Sequence, residues 1–234
     1  MRIQSMLYGF VQGVSGTGKS TLGSALAKAL DVPYVEGDDL HPGSNIEKMS
    51  SGHPLTDFDR EPWLQLIRTT AEHMTIKGEQ AQSDAKDIIE RRTPNHGHGV
   101  VISCSALKRR YRDILRGLGQ QQQQENDVNL STSENSQLQK QESPNSILKT
   151  LFVYIEGTRD VLMDRMTKRT GHFMKTSMLD SQLEALENPA HEEGVVVVSM
   201  TDSNEDQVRA AQQRLRGVLN MGMGVSVDFA TDGK

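Results

Sequence analysis

Gly13-Val14-Ser15-Gly16-Thr17-Gly18-Lys19-Ser20 decides how the chain is read. Glycine holds the first and sixth of these eight positions and Lys-Ser closes them, which is the phosphate-loop pattern. The flanks agree with it. Residues 7–14 are short, largely apolar and compatible with a strand that runs into the loop. Over residues 19–30, Leu22, Ala25, Leu26 and Ala29 recur at helical spacing. Strand, glycine loop and helix together make an anion cradle. Glycines let backbone N–H groups turn inward, and the helix N-terminus adds free donors and a favourable dipole. Residues 13–20, with Thr21 behind them, are therefore the expected nucleotide-binding segment. Lys19 is placed to reach the β- and γ-phosphates of ATP, and the Ser20 hydroxyl to ligate Mg²⁺.

Outward from the loop, strand-like and helical segments alternate. Residues 32–35, 100–104, 151–155 and 195–199 read as further strands. Helices are expected over 59–77, 106–118, 159–169, 178–187 and 204–219, with Asp59 as a cap. The alternation predicts an α/β fold, an open and mostly parallel sheet with helices on both faces. Two polar stretches interrupt it, at about 78–99 and about 119–146. The second contains Gln120 to Gln124 and almost no apolar residue, so it is expected to be a disordered insertion.

The chain has 234 residues, enough for a single domain over 1–234 with insertions. Its net charge of −5 excludes a generally basic protein that coats nucleic acid. The single cysteine, Cys104, excludes an internal disulfide framework and a cysteine-cluster metal site. No apolar run approaches the roughly 20 residues that span a bilayer. A soluble, cytoplasmic protein with no nucleic-acid or membrane partner is expected.

The kind of phosphate-loop protein follows from what surrounds the loop. No Asn-Lys-x-Asp sequence, which reads guanine in GTPases, occurs. The strand at 100–102 ends in Ser103-Cys104-Ser105, not in the acid of a motor or transport ATPase. An acid pair instead follows the second strand, in Gly37-Asp38-Asp39. That placement suits a small-molecule kinase, where an acid orients the acceptor hydroxyl and takes its proton. On these residues alone, a turn or helix-cap role for the pair stands equally open.

More residues bear on the choice. Gly37-Asp38-Asp39-Leu40-His41-Pro42 is followed by Asn45-Ile46-Glu47-Lys48-Met49, then Asp59-Arg60 and Pro62-Trp63-Leu64. Cys104-Ser105-Ala106-Leu107-Lys108 and Tyr111-Arg112-Asp113 come next, then Arg165, Arg169 and Gly171-His172-Phe173. With the phosphate loop, this ordered series closely resembles gluconokinase of the small phosphate-loop kinase type, over about residues 7–220 apart from the two insertions. The resemblance implies ATP-dependent phosphorylation of the 6-hydroxyl of D-gluconate, giving 6-phosphogluconate for the pentose phosphate pathway. It implies a three-layer α/β/α fold with a five-stranded parallel sheet, a substrate-binding segment at about 38–75 and a mobile lid at about 165–180. Such kinases are often dimers, which leaves a homodimer open. Alignment within Gly-Asp-x-Leu-His-Pro selects Asp38 over Asp39 as the catalytic acid. Glu36 and Asp39 depart from that family, standing where an Asp and a bulky apolar residue are usual. The rival readings are a kinase acting on shikimate or a nucleoside monophosphate, and a nucleotide-binding regulator without turnover.

The residue chemistry is compatible with that reading. Gluconate is a polyhydroxylated monoanion, whose site needs cations for the carboxylate and polar groups for the hydroxyls. Asp38 and His41 lie in the loop expected to face the acceptor, and Arg60 precedes the next helix. Lys108 and Arg112 are four apart on one expected helix face, so both can point at one anion. A solvated basic face is the plainer reading of 108–116 taken alone. Arg165 and Arg169, also four apart, enter a glycine-containing segment that suits a lid. Its closure would bring guanidinium charge to the phosphoryl group and exclude water. His172 and Lys175 are candidate contacts within that segment, and Gln182 a candidate from the next helix. Cys104 reads as a small hydrophobe and Trp63 as core. Adenine is expected near the lid helix and the loop after Ser199.

Overall fold

Phe10 and Val11 are both fully buried, although successive side chains of a strand point to opposite faces. Their strand, β1 (Met6–Gln12), is therefore covered on both sides, as the centre of a parallel sheet must be. The computed structural model describes residues 6–84, 99–118, 148–168 and 176–221. It sets four strands beside β1: β2 (Tyr34–Glu36), β3 (Gly99–Cys104), β4 (Leu148–Glu156) and β5 (Val195–Ser199). The order is β2-β3-β1-β4-β5, and every pairing is parallel. Gln12 pairs with Cys104 and Tyr154, so β1 and β3 end level and β4 runs two residues further at the same edge of the sheet. Open α/β sheets bind their ligands at that edge.

The helices are α1 (Lys19–Leu30), α2 (Gly43–Ser50), α3 (Asp57–Asp84), α4 (Arg109–Arg116), α5 (Arg159–Lys168), α6 (Thr176–Ala185) and α7 (Asn204–Met221). On one face of the sheet, Leu22, Leu26, Leu162, Leu179 and Leu215 pack with Val11 and Val153. On the other, Trp63, Ile67, Tyr111 and Leu115 pack with Phe10, Ile102 and Phe152. The three-layer α/β/α arrangement is the one expected. Both polar stretches fall largely on 85–98 and 119–147, outside the described residues.

Several helix boundaries differ from the sequence reading, and two of the starts do so for a local reason. α3 starts at Asp57, because Thr56 and Asp59 cap each other. Asp59 Oδ2 accepts the Thr56 N–H at 2.6 Å, and the Asp59 N–H donates to Thr56 Oγ1 at 3.3 Å. Asp59 is thus the inner partner of the cap. α4 starts only at Arg109, because Lys108 has an extended backbone with φ −96° and ψ 150°. Lys108 is therefore not on a helix face with Arg112. A short 3₁₀ turn, Gly37–Leu40, and α2 were not anticipated.

Arg112 is wholly buried. Its guanidinium donates to the carbonyls of Ala106 at 2.9 Å, Leu107 at 3.0 Å and Glu187 at 3.0 Å, and it pairs with Glu192 at 2.5 Å. Glu192 also takes Arg116 at 2.8 Å. Burial alone would push the Glu192 carboxyl up, but hydrogen bonds from Arg112 and Arg116 outweigh it and hold the group below its ordinary value. The cluster fastens α4 to the segment before β5.

Removing one partner of a buried pair strands the other, so Glu192→Ala should lose about 3 kcal/mol of unfolding free energy in urea. The carboxyl is lowered in the fold, so its contribution is complete above the ordinary value of 4.5 and disappears as pH falls through the folded value. The gap between wild type and Glu192→Gln should therefore close in acid; a gap unchanged with pH would contradict this assignment. Gln12 is 1% exposed, and among the described residues its amide nitrogen has no hydrogen-bond partner. Gln12→Met should raise stability by about 1 kcal/mol, because it removes an unpaired buried donor at similar volume.

Candidate active site

β1 and α1 are joined by a loop whose backbone only glycine takes easily. Gly16 has φ 85° and Gly18, the residue capping α1, φ 97°. The loop is braced from within: Thr17 Oγ1 donates to the Val14 carbonyl at 2.9 Å, and Lys19 Nζ donates to the same oxygen at 3.1 Å. Burial lowers the proton affinity of Lys19, and the nearby Asp38, Cys104 and Glu36 oppose that shift. Asp38 and Glu36 thus both act on the loop lysine. Ser20 and Thr21 lie exposed in the first turn of α1.

Glu36 is more than a departure from a sequence pattern. It accepts hydrogen bonds from the hydroxyls of Ser103, Tyr34 and Ser20; the Tyr34 bond is 2.7 Å long. Burial disfavours its ionised form, but these bonds and the Lys19 charge prevail and hold the carboxyl below its usual range. The same burial pushes the Tyr34 hydroxyl up to about 12. A carboxylate beside the Ser20 hydroxyl is a hard oxygen pair of the sort that suits Mg²⁺. Among the described residues no group of three His, Cys, Asp or Glu side chains forms a metal cage.

Asp38 stands exposed on the 3₁₀ turn, and the turn is fixed from two sides. A Cβ at Gly37 would lie 2.2 Å from the Ser103 carbonyl oxygen, so only glycine lets β2's exit approach β3 this closely. Trp63 Nε1–H donates to the Gly37 carbonyl at 2.8 Å. The His41 ring stacks on Trp63, with centroids 4.1 Å apart and planes at 13°. Asn45 holds His41 at 3.3 Å and the Asp59 carbonyl at 2.8 Å. Burial, aided by Arg60 and opposed by Asp38, lowers the His41 proton affinity. Trp63 is core, as expected, and also the seat of His41.

A cavity of about 310 Å³ opens between the start of α3, the start of α4 and α6. Asp57, Arg60, Lys108, Tyr111 and Gln182 line it. The Asp57 carboxylate takes Lys108 Nζ at 2.8 and 3.1 Å, Arg110 at 3.0 Å and the Tyr111 hydroxyl. The Lys108 bond, then that of Tyr111, hold Asp57 below the usual carboxylate range. Arg60 lies 5.9 Å over the Tyr111 ring and donates to the Leu55 carbonyl. Arg60 and Lys108 therefore meet at one cavity. Arg112 does not join them: its guanidinium is spent on Glu192 and three carbonyls, so the expectation that it contacts substrate is corrected.

Arg165 crosses the phosphate loop. It donates to the Thr17 carbonyl at 3.5 Å and to the Met200 carbonyl beyond β5. Arg169, His172 and Lys175 lie outside the described residues. The flanks of the expected lid are anchored, by Arg165 on one side and on the other by Leu179, wholly buried, and by Asp180, paired with Arg159 at 2.7 Å. Gln182 reaches the loop itself, its Oε1 accepting the Ser15 N–H at 2.7 Å. A sequence signal for it existed: it is a polar residue three after Leu179 and one before Leu183, on an apolar helix face.

No protein-family model matches the chain. It is 40% identical over 189 residues to the gluconokinase of Gluconobacter oxydans, covering 81% of this chain and 80% of that protein. It is 34% identical over 209 residues to the thermosensitive gluconokinase of Escherichia coli, covering 89% and 86%. The crystal structure of a gluconokinase from Sinorhizobium meliloti superposes with a TM-score of 0.65 at 36% identity, covering 97% of this chain and 100% of that one.

Two outcomes test this geometry. Cys104 is wholly buried and its thiol is pushed up to about 12 by burial. Iodoacetamide should leave it unmodified in the native protein and alkylate it in urea; rapid native alkylation would contradict the packing. Gly37→Ala should lower the melting temperature and displace Asp38, whereas a variant as stable as wild type would show that the approach to Ser103 is not obligatory.

Proposed function

The chain belongs to the gluconokinase family, and from that premise we propose that it transfers the γ-phosphoryl group of ATP to the 6-hydroxyl of D-gluconate, giving 6-phospho-D-gluconate and ADP. One observation carries the reading: a cavity of about 310 Å³ lined by Arg60 and Lys108 is joined to the phosphate loop through Gln182. Its volume is at the small end for ligand pockets, which suits a short sugar acid.

In the proposed mechanism the amides of residues 13–20 hold the phosphates, except that of Ser15, which stays on Gln182, and Lys19 moves from the Val14 carbonyl to the β- and γ-phosphate oxygens. The Ser20 hydroxyl, with the Glu36 carboxylate beside it, would hold Mg²⁺, which would supply neutralisation of phosphate charge. Arg60 and Lys108 receive the gluconate carboxylate. Asp38 accepts the hydrogen bond of the 6-hydroxyl and aims its oxygen at phosphorus. As the new O–P bond forms, the bond from phosphorus to the β-phosphate oxygen breaks, and the hydroxyl proton passes to Asp38. Arg165, and Arg169 by its place in the sequence, meet the charge that spreads over the phosphoryl oxygens. His41, seated on Trp63 beside Asp38, does not line the cavity and is assigned to the acceptor side through its place next to Asp38. The proposed setting is the cytoplasm, whose reducing poise suits a free Cys104. Among the described residues no helix is long and apolar enough to cross a membrane.

Purified protein with Mg·ATP should form ADP in proportion to added D-gluconate, and should gain little from shikimate or nucleoside monophosphates. A rate equal with and without gluconate would contradict the reading. Asp38→Asn should lower kcat by about 10²-fold or more while ATP affinity stays within about twofold. Equal losses of turnover and ATP affinity would reassign Asp38 to the nucleotide or the metal.

A further inference from the structure

Gln182 belongs to two places at once. It lines the cavity together with Arg60, Lys108 and Tyr111, and its side chain bonds the Ser15 amide of the phosphate loop at 2.7 Å. The helix that carries it is held on either side. Leu179, three residues before, is buried in the core, and Asp180 pairs with Arg159. Just after α6, the Glu187 N–H donates to the Leu107 carbonyl at 2.9 Å, and the Glu187 carboxylate takes the Arg109 N–H at 2.6 Å. The side chain therefore hangs from a backbone that both neighbouring elements fix.

Chemistry also settles which way the amide faces. Ser15 N–H is a donor, so the atom meeting it must be the amide oxygen. With Oε1 committed to the loop, the two hydrogens on Nε2 remain for another acceptor. Glutamine is also the right residue type for such a junction. Glutamate would keep the bond to Ser15 but lose both donors and set a negative charge between a sugar acid and a polyphosphate. Methionine would fill the space and leave the Ser15 amide unpaired by this side chain.

We propose that Gln182 positions the acceptor and contributes to specificity: Nε2 donates to a hydroxyl of the polyol chain while Oε1 holds Ser15, which registers the sugar acid against the loop that carries the γ-phosphate. The inference rests on the gluconokinase reading, which supplies the polyol. A site built to hydrogen-bond a hydroxyl rejects the analogue lacking it, because the donor is then left unpaired.

The test compares wild type with Gln182→Met on D-gluconate and on a series of its monodeoxy analogues, with ATP affinity measured in the absence of acceptor. Wild type should lose about 10- to 100-fold in kcat/KM on one analogue of the series. Gln182→Met should raise the gluconate KM by about the same factor, lose the discrimination against that analogue, and keep ATP affinity within about twofold. A merely structural contact would not abolish discrimination at a single hydroxyl. An unchanged gluconate KM, or analogue penalties that persist in the variant, would overturn the proposal. Tighter ATP binding would overturn it too, since it would mark Gln182 as a competitor for the Ser15 amide. Should Gln182→Met melt early, Gln182→Leu removes the same donors without adding charge and reads the same quantities. Failure of wild type to form gluconate-dependent ADP sinks the gluconokinase reading itself; normal wild-type turnover with an indifferent variant sinks only the role of Gln182.

Discussion

A chain that leaves a buried strand and restarts at once as a helix must turn its peptide N–H groups toward a common point, and here left-handed backbone at Gly16 and Gly18 makes that turn. The rest of the molecule is arranged around this nest. Because the sheet is parallel, every strand delivers its exit to the same edge. β2 delivers Asp38, β3 leads to Lys108, β4 leads to the helix bearing Arg165, and β5 ends beside the Met200 carbonyl that Arg165 holds. The site is a consequence of strand direction before it is a consequence of any single side chain.

Charge is handled by resident carboxylates. Glu36 sits among three hydroxyls and faces Lys19, so the cation of the phosphate loop has a nearby counter-charge. Asp57 does the same for Lys108 and Arg110 at the acceptor cavity. Both acids are kept ionised by hydrogen bonds rather than by exposure alone. Arg112 and Glu192 form a third pair, but a buried one, whose work is to hold α4 against the segment before β5.

The fold was legible because its strongest signals are local. The phosphate loop states its own context, helix α1 matches its apolar spacing from Lys19 to Leu30, and the Val195–Ser199 run is too short and too β-branched for a helix. The unit at Gly37–Leu40 was not legible as structure, since four residues carry no periodicity. Arg112 was misread because spacing of four implies a shared face only if both residues are helical, and Lys108 is not. The partners of Glu36 and Gln182 are tertiary findings. Glu36 depends on hydroxyls from Ser103 and Ser20, and Gln182, although a candidate contact on the sequence alone, on an amide 167 positions away.

The central claim is that the loop's amides and Asp38 together direct the γ-phosphoryl group to one end of a sugar acid. Phosphorus NMR of the product formed from ATP and D-gluconate tests it most directly. The account predicts a single phosphomonoester whose phosphorus couples to the protons of the terminal carbon. Inorganic phosphate as the only product, or a phosphate on a secondary hydroxyl, would contradict it.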